Sequence, residues 1–463
     1  MNTTSKQNRE ELLGKAPMLP LLLKMSLPAV AAQLVNLLYS TVDSIYIGHI
    51  EKIGTDALAG IGVTSSLIIL ISAFAQFVAG GGAPLAAIAL GDGHRERAHK
   101  LLGNGFVLLI FFSLVTATIS YIFMEPILYL IGASDETIGY AVDYLAIYLF
   151  GTVFVLISTG LNAFINTQGR PGIAMLSVLI GAILNIALDP LFIFTFGMNV
   201  KGAALATVIS QAASAVFVLG FLFSQKATLR LEARYMKPDR KVIGATFALG
   251  ISPFVMASTE SFVGFVLNGS LMRYGGKIYV SALTVMQRAM QMISVPLTGI
   301  SAGYIPIVSY NFGNKNPTRV KEAFKIALYI KFFFNLIACV LIMLFPAFVA
   351  SLFTEDPALI DVVTQYTPIF FAGMTIFGLQ RTCQNTFVAL GQAKVSLFIA
   401  LLRKVILLIP LALILPVLMG GNVTGVFLAE AIADATAAIL CTLIFSFIFP
   451  KILRKITVHP SGC

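Results

Sequence analysis

Apolar residues run along this chain in long continuous stretches, separated by short breaks rich in Gly, Pro and charged residues. A helix needs about 20 predominantly apolar residues to cross a bilayer. Twelve such stretches are centred near residues 30, 68, 112, 151, 183, 213, 260, 292, 336, 373, 408 and 438. In lipid every backbone group must be satisfied within the protein, which helices achieve segment by segment. Continuous apolar runs exclude the period-two alternation of a transmembrane barrel. No window reads as a separate soluble domain. The pattern predicts an all-α polytopic membrane protein with twelve transmembrane helices.

The longest internal hydrophilic segment, Gln225 to Lys241, carries Arg230, Arg234, Lys237, Arg240 and Lys241 and divides the spans six and six. The two halves share their punctuation at a shift of about 222 residues. Ser26-Leu27-Pro28 matches Ile251-Ser252-Pro253, and Leu90-Gly91-Asp92-Gly93 with Arg97 matches Phe312-Gly313-Asn314-Lys315 with Arg319. Thr167-Gln168-Gly169-Arg170 matches Ala389-Leu390-Gly391-Gln392, and the segment from Gly202 to Thr207 matches that from Gly425 to Glu430. Six spans per repeat give both halves the same orientation. Two six-helix bundles related by a pseudo-two-fold axis along the membrane normal are therefore expected, with a cavity between them. The boundaries are 1–224 for the first lobe, 225–241 for a cytoplasmic linker and 242–463 for the second lobe. This plan favours a transporter.

Composition agrees: 58% of the 463 residues are apolar, 11% are charged, and Trp is absent. The net charge of +10 raises the question of a nucleic-acid partner, which its placement answers. Most of the 31 Lys and Arg lie in the segments on the side of the two termini, and Lys52, Lys201, Arg273 and Lys277 are those of the opposite loops. By the positive-inside rule both termini are cytoplasmic, and no nucleic-acid partner is implied. The location expected is the inner (plasma) membrane, with the lipid bilayer as surroundings and the chain acting as a monomer. Residues 1–17 are polar and no cleavage site follows the first apolar stretch, so that span is expected to be retained. Cys339, Cys383, Cys441 and Cys463 have neither metal nor disulfide spacing. His459 to Cys463 reads as a loose tail.

Five carboxylates break the apolar stretches: Asp43, Asp189, Glu260, Glu430 and Asp434. An acid at that depth costs about 2.5–3.5 kcal/mol on insertion scales, and it persists where it binds a cation, relays a proton or holds a charged ligand. Asn185 and Asp189, four apart, share a helical face. Pro190 frees the Ile186 carbonyl, and Thr207 adds a hydroxyl from the sixth span. With Asp43 from the first span these form a hard oxygen set, suited to Na⁺ or to a proton shared between carboxylates. The alternative is capping or an internal hydrogen bond, with cross-helix bonding for Asn185 and Thr207.

The second half does not reproduce this set: the position matching Asp189 falls near Leu411. Glu260 lies in the seventh span, with Glu430 and Asp434 on one face of the twelfth. Arg288, Arg381, Arg403 and Lys404 are buried bases beside them, so either internal ion pairing or a substrate site accounts for these acids. Met286 and Met290, next to Gln287 and Arg288, suit an adaptable wall for flat cations.

Val42-Asp43 followed by Gly48, Asn185 with Asp189-Pro190, and Gly202 to Thr207 opening the sixth span, in this order across two equivalent halves, resemble the multidrug and toxic compound extrusion (MATE) family. The resemblance covers essentially the whole chain. It implies export of cationic, amphipathic compounds in exchange for inward H⁺ or Na⁺, without a cofactor. It also implies a coupling site at Asp43, Asn185, Asp189 and Thr207, and it places an essential Glu of other branches at Glu260. Glu260, Glu430, Asp434, Met286, Met290, Gln287 and Arg288 are the substrate-binding candidates. A lipid-linked oligosaccharide flippase of the same superfamily is the nearest alternative. A polytopic membrane transferase is the more distant one, and the deep, dispersed acids and four His argue against it.

Overall fold

The computed structural model describes residues 12–50 and 53–457. Lys52, Cys463 and the tail from His459 lie outside them. Among the described residues, twelve helices are long and apolar enough to cross a membrane. They are α1 Met18–Gly48, α2 Asp56–Gly91, α3 Arg95–Ile122, α4 Ile138–Thr167, α5 Pro171–Thr195 and α6 Asn199–Phe223, then α7 Arg240–Tyr274, α8 Lys277–Gly313, α9 Pro317–Leu344, α10 Pro357–Ala389, α11 Ala393–Leu418 and α12 Thr424–Ile456. Each contains one of the twelve expected centres. Short helices Met124–Ile131 and Pro346–Ser351 follow α3 and α9.

Local chemistry sets the helix starts. Pro171, Pro317 and Pro357 open α5, α9 and α10, where the missing N–H has no intrahelical role. Asp239, Asn316 and Asp356 cap α7, α9 and α10, their side chains accepting from Lys241 N, Arg319 N and Ala358 N at 2.9, 3.1 and 3.0 Å. Left-handed backbone recurs at matching places in the two halves. Gly169 and Gly391 both have φ of 69°, while Gly93 and Lys315 have φ of 78° and 53°. The repeat seen in the sequence is thus a repeat of turn geometry.

Three spans contain π-helical turns: Phe77–Gly82 in α2, Leu191–Thr195 in α5 and Leu402–Leu408 in α11. Such turns insert a residue into the helical register and redirect side chains. The second directly follows Asp189-Pro190, and the third turns the consecutive residues Arg403 and Lys404 toward other helices.

Helix α1 belongs to two cores. Its first half (Met18, Leu21, Leu22, Met25) is buried with Tyr304, Ile307, Cys383, Phe387 and Phe445 of α8, α10 and α12. Its other end, at Ile47, is buried with Tyr144, Tyr148, Ile193 and Ala203 of α4, α5 and α6. Pro28 lies between these two attachments. Close approach of the halves follows glycines toward the end of the bundle that carries the described termini. A Cβ on Gly91 would meet the Tyr310 carbonyl, on Gly313 the Ile88 carbonyl, on Gly81 the Thr246 carbonyl, and on Gly303 the Met25–Ser26 backbone. Ser26 Oγ also donates to the Ile300 carbonyl at 3.3 Å. An aromatic cluster of Phe74, Phe77 and Phe112 with Phe247 and Phe254 fills the α2–α3–α7 junction.

The hydrophilic connection between α6 and α7 is anchored to the helices around it. Ala227, Leu229 and Leu231 are buried, and Gln168 Oε1 accepts from Thr228 N and Leu229 N at 2.7 and 3.0 Å. Asn104 holds its far end, donating to the Tyr235 carbonyl at 3.1 Å and accepting from Asp239 N at 2.8 Å. Overpacked contacts cost about 1–3 kcal/mol. Gly91→Ala and Gly313→Ala should therefore each lower the melting temperature of the purified protein. Gly62→Ala, where a Cβ meets nothing within 4 Å, should not. Equal behaviour of the three variants in a thermal unfolding assay would remove the glycine contacts from this account.

Candidate ion and substrate sites

Four helices of the first half converge on a polar centre, and each supplies residues four apart: Tyr39 and Asp43, Tyr144 and Tyr148, Asn185 and Asp189, Thr207 and Gln211. That spacing stacks two side chains on one face. Asp189 is 0% exposed and Asn185 is buried. Asn185 Nδ2 donates to Asp189 Oδ1 at 3.1 Å and lies 3.5 Å from Thr207 Oγ1. The Asp43 and Asp189 carboxyl groups are within hydrogen-bonding reach of each other. Tyr39 reaches Gln211, Tyr144 reaches Thr207, and Gln211 Oε1 accepts from Ser158 Oγ at 3.2 Å. The structure thus brings together all four residues expected here.

Their unmet bonding is the chemically informative part. Asp43 Oδ1, Asn185 Oδ1 and Asp189 Oδ2 are buried and have no hydrogen-bond partner. Buried oxygens without partners are costly, and no Lys or Arg pairs with either acid among the described residues. Three orphaned oxygens beside a hydroxyl are the kind of donor set that a proton or a small hard cation would satisfy. Tyr39, Tyr144, Tyr148 and Gln211 were not singled out in the sequence, although the same spacing of four marks them.

The acids of the second half are answered by bases. Arg403 Nε donates to Asp434 Oδ1 at 2.5 Å, and its Nη2 lies 3.4 Å from Glu430 Oε1. Lys404 pairs with Glu260. Asp434 is 1% exposed, and the Arg403 guanidinium also lies over the Phe377 ring at 4.3 Å. The Glu260 side chain is the open member of the group, at 57% exposure. Arg403 and Lys404 do not run out to the membrane surface, because the π-helical turn of α11 directs both into the bundle. Two expectations need correction. Arg288 is an exposed residue of α8 with no ion pair among the described residues, so it is not a buried base. Met286 is packed in the core with Leu283, Phe370 and Phe427 and is closed to a substrate here, while Met290 and Gln287 are partly buried. Lys331, buried in α9, was passed over in the sequence although it interrupts an apolar run between Ile330 and Phe332.

A MatE family model matches residues 28–191 and 254–414, one block in each half. The chain belongs to this family. The multidrug export protein MepA of Staphylococcus haemolyticus (strain JCSC1435) is 25% identical over 441 residues, covering 95% of each chain. MepA of Staphylococcus aureus (strain bovine RF122 / ET3-1) is 25% identical over 433 residues, covering 93% of this chain and 94% of its own. Among solved structures, MATE in the bent conformation superposes with a TM-score of 0.89 at 23% identity, covering 99% of this chain and all of the other. An outward-facing multidrug resistance MATE transporter also gives 0.89, at 23% identity over 96% of this chain and 98% of that one. These likenesses carry the MatE fold, and membership sets the membrane-transferase alternative aside.

Removing one partner from a buried ion pair costs about 3–5 kcal/mol, whereas an apolar replacement of both is often tolerated. Arg403→Met should accordingly destabilise the protein strongly. Arg403→Met with Asp434→Leu should recover much of the loss. Additive losses in a double-mutant cycle on unfolding would show that the pair does not act as a unit.

Proposed function

We propose that this MatE-family chain is a secondary active multidrug exporter of the plasma membrane, a monomer that exchanges cationic amphipathic compounds for inward H⁺ or Na⁺. The observation that carries this reading is the pair Asp43 and Asp189, each with a buried, unpartnered oxygen and no basic partner among the described residues, beside the orphaned oxygen of Asn185. The printed function of the MepA relatives, multidrug export, supports the substrate class. Lobes of residues 1–224 and 242–463, joined by 225–241, are the moving bodies. Both termini are cytoplasmic, so the glycine-sealed end is the cytoplasmic end.

In this mechanism the coupling ion enters from outside and binds Asp43, Asp189, Asn185 and Thr207. Binding satisfies the orphaned oxygens and tightens the upper part of α1 on α5 and α6. Because the lower part of α1 is packed against α8, that change is transmitted across Pro28 to the seal between the lobes. Exchange is obligatory only if ion and drug each prefer a different state. Glu260, the exposed acid, is the natural contact for a cationic compound, competing with Lys404 for it. The flippase alternative calls for an Arg-lined cavity, whereas Arg403 here is bound by Asp434 and Glu430.

Asp43→Asn and Asp189→Asn should each reduce efflux of a fluorescent cation to the level of cells lacking the transporter, at unchanged membrane expression. Thr207→Ala should give a partial loss. Wild-type efflux from the Asp43→Asn variant would contradict the assignment of the coupling site.

A further inference from the structure

Lys331 is among the largest fully enclosed side chains of the protein, at 0% exposure, in the middle of α9. Its Nζ donates to Ser301 Oγ at 2.8 Å and lies 5.2 Å from the centre of the Tyr304 ring. An ammonium has three N–H donors, so one hydroxyl and a ring face leave it under-supplied. Arg381 of α10 donates to neutral acceptors, the Ser294 carbonyl at 3.4 Å and Thr298 Oγ1 at 3.1 Å. One turn on, Asn385 Nδ2 donates to the same Ser301 Oγ at 2.7 Å, while Ser301 Oγ donates to the Leu297 carbonyl at 2.7 Å. Lys331 and Arg381 are thus held by neutral acceptors alone, on helices that also carry the unpartnered buried oxygens Asn335 Oδ1 and Gln380 Oε1.

The charge balance points the same way. Lys331, Arg381, Arg403 and Lys404 share the interior of the second half with Glu260, Glu430 and Asp434. All three acids are engaged by Arg403 and Lys404. Lys331 and Arg381 lie within electrostatic range of each other, and neither has an ion pair among the described residues. Buried like charges without an anion are unfavourable. Counted as ions, the four bases exceed the three acids by one, with Glu260 also within electrostatic range of Arg381.

We propose that Lys331, Arg381 and Asn385 form a binding site for a monovalent anion, either the carboxylate of an exported compound or a small inorganic anion such as chloride. A guanidinium fork suits a carboxylate, and the ammonium and amide add donors from two further directions. This site lies in the other half from Asp43 and Asp189, and its occupancy does not depend on which ion couples export.

The test uses the purified full chain at constant ionic strength. Chloride replaces a bulky sulfonate in one arm. In the other arm, binding of a rhodamine with a free carboxylate is compared with that of its methyl ester. Saturable stabilisation by chloride, without preference for the free acid, assigns an inorganic anion. Tighter binding of the free acid, competed by chloride, assigns a substrate carboxylate. In either case Lys331→Met and Arg381→Met should weaken the anion by at least about tenfold, the size expected for lost hydrogen bonds to a charged group, while ester binding persists. Should those variants fail to fold, Asn385→Ala and halide competition on the wild type give the same readout. Absence of any chloride effect together with equal affinity for acid and ester overturns the proposal, as does unchanged anion affinity in folded variants.

Discussion

A charge at membrane depth must be answered by an opposite charge, by hydrogen bonds or by a ligand, and the two halves of this protein meet that constraint differently. In the second half Arg403 and Lys404 neutralise Glu260, Glu430 and Asp434 within the protein. In the first half Asp43 and Asp189 are left to each other and to Asn185 and Thr207, with buried oxygens unsatisfied. The acids of the second half are thus paired within the protein, whereas those of the first have no basic partner among the described residues.

Helix α1 ties this local deficit to the rest of the molecule. One end is packed with α8, α10 and α12, while the other packs with α4, α5 and α6 close to Asp43. Pro28 removes a helical hydrogen bond between the two attachments, which is where bending is cheapest. The glycine contacts of α2 with α7 and α8 make the seal between halves a close backbone fit. Tightly packed contacts of this kind are bistable rather than compliant, the property that the proposed exchange requires.

The architecture was legible in the sequence because spans and repeats are written in long-range patterns. Twelve apolar runs gave twelve helices, and paired motifs such as Gly169 and Gly391 proved to be matching left-handed turns. The polar cluster of the first half was legible too, since Asn185 and Asp189 share a face and their Asp stands out in apolar surroundings. What escaped was register. The π-helical turn of α11 carries no simple sequence mark, so the inward direction of both Arg403 and Lys404 became clear only in three dimensions. Met286 and Arg288, two residues apart, fell on different sides of α8, one in the core and one exposed. Lys331 was missed because a lone lysine reads as a snorkelling residue until its surroundings are known.

The central claim is that the unsatisfied oxygens around Asp43 and Asp189 bind the ion whose inward movement drives export. Reconstituted vesicles with an imposed Na⁺ gradient, and separately an imposed pH gradient, test it directly when loaded with a fluorescent cation. The account predicts that at least one gradient drives uphill movement of the dye in wild-type vesicles, and that Asp43→Asn vesicles give none under either. Equal gradient-driven transport by wild type and Asp43→Asn, or wild-type transport indifferent to both gradients, would contradict it.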